Sequence, residues 1–383
     1  MKTRLKKMVF LPLTLLFLSA CMEETRLPIA VGDSAPDTPG EWAVGHRNFV
    51  MIDPNRNDRP LNVDVWYPVD PEDTASGTFY TYPLIGNAGI ESPLALADKP
   101  VAEQGNFPLI VFSHGFEGIN VQSTSLMENL ASHGFFVISP EHTGNSQNSP
   151  GDSREQVIAN RVPDVSFIIS EMLIRNSSSG DIFAGSIDNE TIGVTGHSFG
   201  GNTTMGSHLG WGGQPADPRV DAIAPISGQL ETEFSSMLSS VSIPTMLLGG
   251  TLDEAVPITE NDFAFEAISN APALYKASIV GATHTHFANI CDIGDFLRNR
   301  GILRPLWPLV GARALLEPWQ DTCSRSAFDY EEGLRLQNLY ITAFFKRHLL
   351  GLAEYDQYLT TQYANDNEPD MIFISQQTGP IIE

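Results

Sequence analysis

Ser198 lies in Gly196-His197-Ser198-Phe199-Gly200-Gly201, behind the apolar run Ile192-Gly193-Val194-Thr195. The run reads as a strand and the residues after Gly200 as a helix, so the serine falls on a sharp strand-to-helix turn that exposes its hydroxyl. A serine hydroxyl is a weak nucleophile until a base takes its proton, and the base needs an acid to orient it. Both follow downstream at strand ends. An apolar strand over 244–248 turns at Gly249-Gly250 and reaches Asp253, and a second over 277–280 runs into Thr283-His284-Thr285-His286. Asp253 is the expected acid, with Glu254 and Asp221 as rivals. His284 is the expected base because it comes first after the small-residue turn, with His286 as the other choice. Attack on a carbonyl concentrates charge on one oxygen and requires hydrogen-bond donors there. The amides of Phe199, directly after the nucleophile, and of Phe116, in the Ser113-His114-Gly115-Phe116 turn, are the expected pair. His142, His197, His286 and Trp307 are candidates to line the pocket. Two other readings stand beside this one. The turn could hold a serine that only caps a helix. His284 and His286 could be a metal pair, but no cysteine or acid cluster lies nearby, so no metal is expected.

These groups need a scaffold that gathers strand ends. From residue 107 onward strands and helices alternate, at 109–113, 123–132, 135–139, 154–175, 192–196 and 199–209, with further strands at 220–226, 245–249 and 275–280. That alternation specifies an α/β fold with a mostly parallel central sheet and helices on both faces, in which functional groups gather at the carboxyl ends of strands. Ahead of it, 42–52 and 61–67 read as an N-terminal antiparallel hairpin around a turn rich in Pro, Asn and Asp at 53–60. Residues 69–106 show no clear period and read as a long surface excursion. A last helix over 330–350 carries Leu334, Leu336, Leu339, Ile341, Phe344 and Phe345, enough apolar surface to cover one sheet face. The expected domain is 41–353, followed by a tail at 354–383.

Of the 383 residues, 42% are hydrophobic and 18% charged, a composition that supports a packed core. A net charge of −24 repels polyanions, so nucleic acid is excluded as an expected partner. Lys2, Arg4, Lys6 and Lys7 precede an apolar run at 8–18, the layout of a secretory signal over 1–20 and too short for a good membrane span. Leu18-Ser19-Ala20-Cys21 resembles the bacterial lipobox, which implies lipidation of Cys21, a tether over 21–40 and an exported, envelope-anchored monomer in the outer membrane, periplasm or cell surface. Export to an oxidising compartment makes Cys291 and Cys323 a disulfide candidate.

Trp66-Tyr67-Pro68, the Ser113-His114-Gly115-Phe116 turn, Gly196-His197-Ser198-Phe199-Gly200-Gly201 and His284-x-x-Phe287-Ala288 together resemble the dienelactone-hydrolase and platelet-activating-factor acetylhydrolase branch of the α/β-hydrolases, over 42–350. The resemblance implies an α/β-hydrolase fold and cleavage of carboxylic esters without a cofactor, with Ser198 as nucleophile, His284 as base and Asp253 as its orienting acid. Dienelactone hydrolases use cysteine as nucleophile, so the serine points to the esterase and lipase-like members. One departure is a helical insertion at 289–325, after the catalytic histidine, which holds Trp307, several leucines and both remaining cysteines. It reads either as a lid over an acyl pocket or as a decoration packed on the body. Alternative functions are a non-catalytic envelope lipoprotein that binds rather than cleaves, and a peptidase of the same fold.

Overall fold

The computed structural model describes residues 35–74, 77–86 and 88–377. The expected leader, the lipidation candidate Cys21, most of the tether and residues 378–383 lie outside the described residues. The fold opens with β1 (Ala43–Asp53) and β2 (Arg59–Val69), antiparallel in unbroken register from Ala43 opposite Val69 to Asp53 opposite Arg59. Between them Asn57 and Asp58 both take positive φ, a conformation short polar side chains tolerate at a tight turn.

The expected surface excursion is instead a second hairpin, β3 (Phe79–Ile85) and β4 (Ala88–Ala97), which extends the sheet because β4 runs parallel to β1. Its alternation is hidden in the sequence by Pro83 in an edge strand and Pro93 in a bulge where the β3–β4 register shifts, two places where a missing N–H costs no ladder bond. Trp66 Nε1–H donates to the Tyr82 hydroxyl (2.6 Å), and that hydroxyl donates to Glu128 Oε1 (2.6 Å), which ties the hairpin to the body.

The α/β core follows as β5 (Phe107–Ser113), α1 (Thr124–Ser132), β6 (Phe136–Glu141), α2 (Arg154–Ser177), β7 (Ile187–His197), α3 (Phe199–Leu209), β8 (Ala222–Ile226), α4 (Leu230–Phe234), β9 (Thr245–Gly250), α5 (Thr259–Ala267) and β10 (Ala273–Ile279). All seven residues of β5 are buried, as a strand covered on both faces demands. Among the described residues the sheet has 11 strands; with β11 (Met371–Gln377) at one edge, the order is β11-β10-β9-β8-β7-β5-β6-β2-β1-β4-β3, parallel from β6 to β10. One apolar layer joins it to α2, α3 and α5, and the other joins it to α1 and α8 (Tyr330–His348).

Two C-terminal features complete the body. The insertion contains α6 (Ile290–Asn299), two 3-10 turns and α7 (Leu316–Cys323), closed by a Cys291–Cys323 disulfide with Cα atoms 5.6 Å apart. Its small core of Phe296, Leu297, Trp307 and Trp319 also receives Leu84, Ala88 and Ile90 from the β3–β4 hairpin. The segment expected as a tail forms α9 (Thr361–Asn367) and then β11 (Met371–Gln377), an edge strand antiparallel to β10. Ile372 and Ile374 alternate with the buried Met371 and Phe373, so this short apolar run pairs and covers the strand that delivers His284.

Candidate active site

Ser198 occupies the turn from β7 into α3 with φ 60° and ψ −122°, a backbone conformation rare for a residue with a side chain. Its N–H donates to Ile226 O (2.8 Å) on β8, which pins the turn. The flanking glycines are required by contact: a Cβ on Gly200 would lie 1.8 Å from Ser113 O, and one on Gly196 2.5 Å from the same oxygen. The nucleophile turn and the end of β5 are therefore in backbone contact.

His284 begins a 3-10 turn after β10, and Asp253 follows the Gly249-Gly250 end of β9. The Ser198 hydroxyl donates to His284 Nε2 (2.8 Å), and His284 Nδ1–H donates to Asp253 Oδ2 (2.7 Å). The other Asp253 oxygen accepts from the amides of Ala255 (3.0 Å) and Val256 (2.7 Å). Burial pushes the Asp253 carboxyl up, but the hydrogen bond and charge of His284, with the Val256 amide, outweigh it and hold the carboxyl below its ordinary value. The acid thus stays ionised beside an imidazole that gains charge when it takes the serine proton. The rivals stand elsewhere. Asp221, before β8, accepts from Ile192 N–H (2.9 Å) at the opposite end of the sheet, and Glu254 is exposed.

The Ser113–Phe116 turn, the expected source of one oxyanion amide, is held by His197 and by Gln122 and Arg161, which sequence reasoning missed. Gln122 Oε1 accepts from Gly115 N–H (3.0 Å), while its amide donates to His197 Nδ1 (2.9 Å), and His197 Nε2–H donates to His284 O (2.8 Å). Burial, then the neighbouring His284, pull His197 down to about 3, so it is neutral and adds no like charge next to the base. Below the turn, the fully buried Arg161 guanidinium donates to Ser113 Oγ (3.1 Å), His114 O (2.6 Å), Gly115 O (3.0 Å) and Asn145 Oδ1 (2.5 Å). Asp164, also buried, accepts from Arg59 (2.9 and 3.0 Å) and His142 Nδ1 (2.9 Å). Val157, Arg161, Asp164 and Ile168 recur at helical spacing, so a charged pair interrupting an apolar stripe was the available signal. Among the described residues, neither the Phe116 nor the Phe199 amide donates to a protein acceptor, and their rings meet edge-on at 5.6 Å.

Ser198, His284, His197 and Phe116 open on an apolar cleft of about 330 Å³ walled by Leu84, Ile85, Ile293, Leu297, Val310 and Leu315. His197 is the one histidine candidate that reaches it without being the base. His142 is buried and spent on Ser113 Oγ (2.9 Å) and Asp164. His286 accepts from Thr283 N–H (2.9 Å) and donates to Phe328 O (3.2 Å), turned away from His284, so the two imidazoles do not converge on one ion. Trp307 is the fully buried centre of the insertion, its indole N–H donating to Ile302 O (2.9 Å). Each was a good pocket candidate by chain position, and each is held by local hydrogen bonds or packing instead. A larger basin of about 890 Å³ lies on the far side of His284, lined in part by Glu254, Glu317 and Asp321, but Ser198 does not line it.

A serine, a neutral imidazole and an ionised carboxylate in hydrogen-bonded series, beside two free amides, can attack a carbonyl and hold the resulting oxyanion. Comparison with known proteins places this geometry. The PET hydrolase-like family profile matches residues 98–295, about half of the chain, including Ser198, Asp253 and His284. The chain belongs to the PET hydrolase-like family. This PET hydrolase-like chain is 27% identical over 183 residues to Cutinase 1 of Thermobifida cellulosilytica, covering 48% of the chain and 62% of that protein. The identity is again 27% over 183 residues to a cutinase of Thermobifida fusca (strain YX), covering 48% of the chain and 54% of the relative. Chlorophyllase-1 of Citrus unshiu is 26% identical over 190 residues, covering 50% of the chain and 51% of that protein. The matched stretch thus spans less than two thirds of these relatives. A ferulic acid esterase from Streptomyces cinnamoneus shares the fold, with a TM-score of 0.63 at 23% identity over 89% of this chain and 98% of that one.

Proposed function

We propose that the chain is a serine hydrolase of carboxylic esters. Ser198 attacks the ester carbonyl as His284 takes its proton, and Asp253 orients and stabilises the imidazolium. The amides of Phe116 and Phe199 hold the oxyanion. His284 returns the proton to the departing alcohol, then activates water to release the acid from the acyl-enzyme. The observation that carries this reading is the unbroken Ser198–His284–Asp253 chain opening on an apolar cleft. The cutinase, chlorophyllase and ferulic acid esterase names of the similar proteins support an ester, and the cleft walls favour an apolar acyl or aryl group. Within that class, aliphatic and aromatic polyesters, short-chain esters and the acetylated phospholipids suggested by the acetylhydrolase resemblance are the substrates to compare. The secretory layout of 1–20 and the Cys21 lipobox support an exported, lipid-anchored enzyme, as does the disulfide.

The test is a panel of p-nitrophenyl esters graded in acyl length, run with the wild type and Ser198→Ala, alongside labelling by a fluorophosphonate. We expect Ser198-dependent turnover and labelling. Folded protein that neither labels nor turns over would instead be a binding lipoprotein, and faster cleavage of matched anilides than of esters would make it a peptidase.

A further inference from the structure

Residues 296–316 of the insertion contain Arg298, Arg300, Arg304 and Arg313 and no acidic residue, in a chain with 46 Asp and Glu against 22 Lys and Arg. The same stretch exposes large apolar side chains, with Leu303 61%, Leu306 45%, Leu309 81% and Val310 41% accessible. On the body, Arg47, Arg154, Arg175, Arg219, Arg335 and Arg347 each hold a carboxylate. On the insertion, among the described residues, only Arg298 does, with Asp295 at 2.7 Å. Among the described residues no carboxylate pairs with Arg300, Arg304 or Arg313. Arg300 and Arg304 lie over the rings of Phe296 (3.8 Å) and Trp319 (4.9 Å), which position the guanidinium groups without neutralising them.

We propose that this arginine and leucine face of the insertion seats the mouth of the Ser198 cleft on an anionic lipid surface. Guanidinium groups bind phosphate oxygens in pairs, and exposed leucines beside them enter the headgroup and acyl boundary, the combination found on interfacial helices. Such a surface repels an acidic molecule as a whole, so charge favours approach by this arginine-bearing stretch. Val310 belongs both to the exposed face and to the cleft wall, so docking here brings the cleft entrance to the interface.

Flotation with lipid vesicles tests this, using the full chain with Cys21→Ala so that no acyl chain contributes. All comparisons share that background, so the difference between the arginine chain and its Glu variant reports the insertion and not the leader. We expect flotation with equimolar phosphatidylcholine and phosphatidylglycerol, weakened by salt, and far less with phosphatidylcholine alone. A basic residue at an anionic leaflet is worth roughly fivefold in partition, so Arg300→Glu/Arg304→Glu/Arg313→Glu should lower it by about 100-fold or more. The triple Lys replacement should retain binding. Hydrolysis of a soluble p-nitrophenyl ester should be unchanged in both, which reports that the variants fold. Equal flotation with the two vesicle types, undiminished flotation of the Glu variant, or adsorption to neutral polyester particles but not to vesicles would overturn the proposal. Flotation is read without turnover, so a failure of the ester-hydrolase reading would show separately.

Discussion

Ser198, Asp253 and His284 stand at the ends of β7, β9 and β10, each fixed by hydrogen bonds to neighbouring backbone or to one another, where the last residues of all three strands are buried. Across the cleft, Leu297, Val310 and Leu315 belong to an insertion whose core is four side chains and whose ends are joined by one disulfide. The first region is over-determined, as in-line proton transfer requires, because a small displacement of a reacting group is costly. The second is a wall with its own small core, attached to the His284 turn by hydrogen bonds from Thr285 to Thr322 (2.5 Å) and Pro318 O (3.4 Å). The sheet side fixes the reacting groups, and the insertion supplies much of the apolar wall that faces them.

The largest expected effect is on the sheet side. Asp253→Asn should lower kcat for a short p-nitrophenyl ester by about 10⁴, by leaving His284 in the wrong tautomer, with little change in Tm. A loss below tenfold would remove the distinction between the two walls. Next comes the disulfide, which joins cysteines 32 residues apart. Cys291→Ser/Cys323→Ser should cost about 3–4 kcal/mol. Limited proteolysis should find the cuts within 296–316 while short-ester turnover in uncut protein persists.

The junction between the regions offers a pH test. Burial raises Glu128 on α1 from its ordinary 4.5 to about 7, against hydrogen bonds from Ser92 and Tyr82 that lower it, and burial raises Asp292 on α6 to about 6. Both folded values lie above the unfolded ones, so their protonated forms favour the fold. The associated stability is complete at acid pH and is lost as pH rises through about 6 to 7. For Glu128 this amounts to about 3 kcal/mol, and denaturant midpoints measured from pH 5 to pH 8 should flatten in Glu128→Gln. The smallest effect is on selectivity: Leu315→Ala should shift the ratio of long-acyl to short-acyl kcat/KM by roughly tenfold while sparing kcat on the acetate.

The parts legible in the sequence were those whose pattern is local. Gly-x-Ser-x-Gly after an apolar run, and Asp253 and His284 just past two further apolar runs, are visible because a parallel sheet brings successive strand ends to one edge. The expected mostly parallel sheet with its N-terminal hairpin is what the chain forms, and Cys291 and Cys323 are joined as expected. What stayed hidden depends on partners far along the chain. The β3–β4 hairpin is masked by two prolines whose tolerance comes from edge and bulge positions, and β11 is a strand because β10 offers it a free edge. His142 and His286 left the pocket for the same reason: Asp164 and Phe328 claim their polar atoms, and no spacing rule announces those meetings, whereas Trp307 is drawn into the insertion's own core.

The position of β11 also bears on the order in which the molecule can be completed. It is the last strand among the described residues, and it shields the open edge of β10, the strand that carries His284 to its place. A chain delivered from its amino end therefore acquires Ser198, Asp253 and His284 before the edge beside His284 is closed. Until residues 371–377 arrive, the nascent molecule presents one unpaired strand edge next to its most demanding geometry, the place where mispairing with another chain would do the greatest harm.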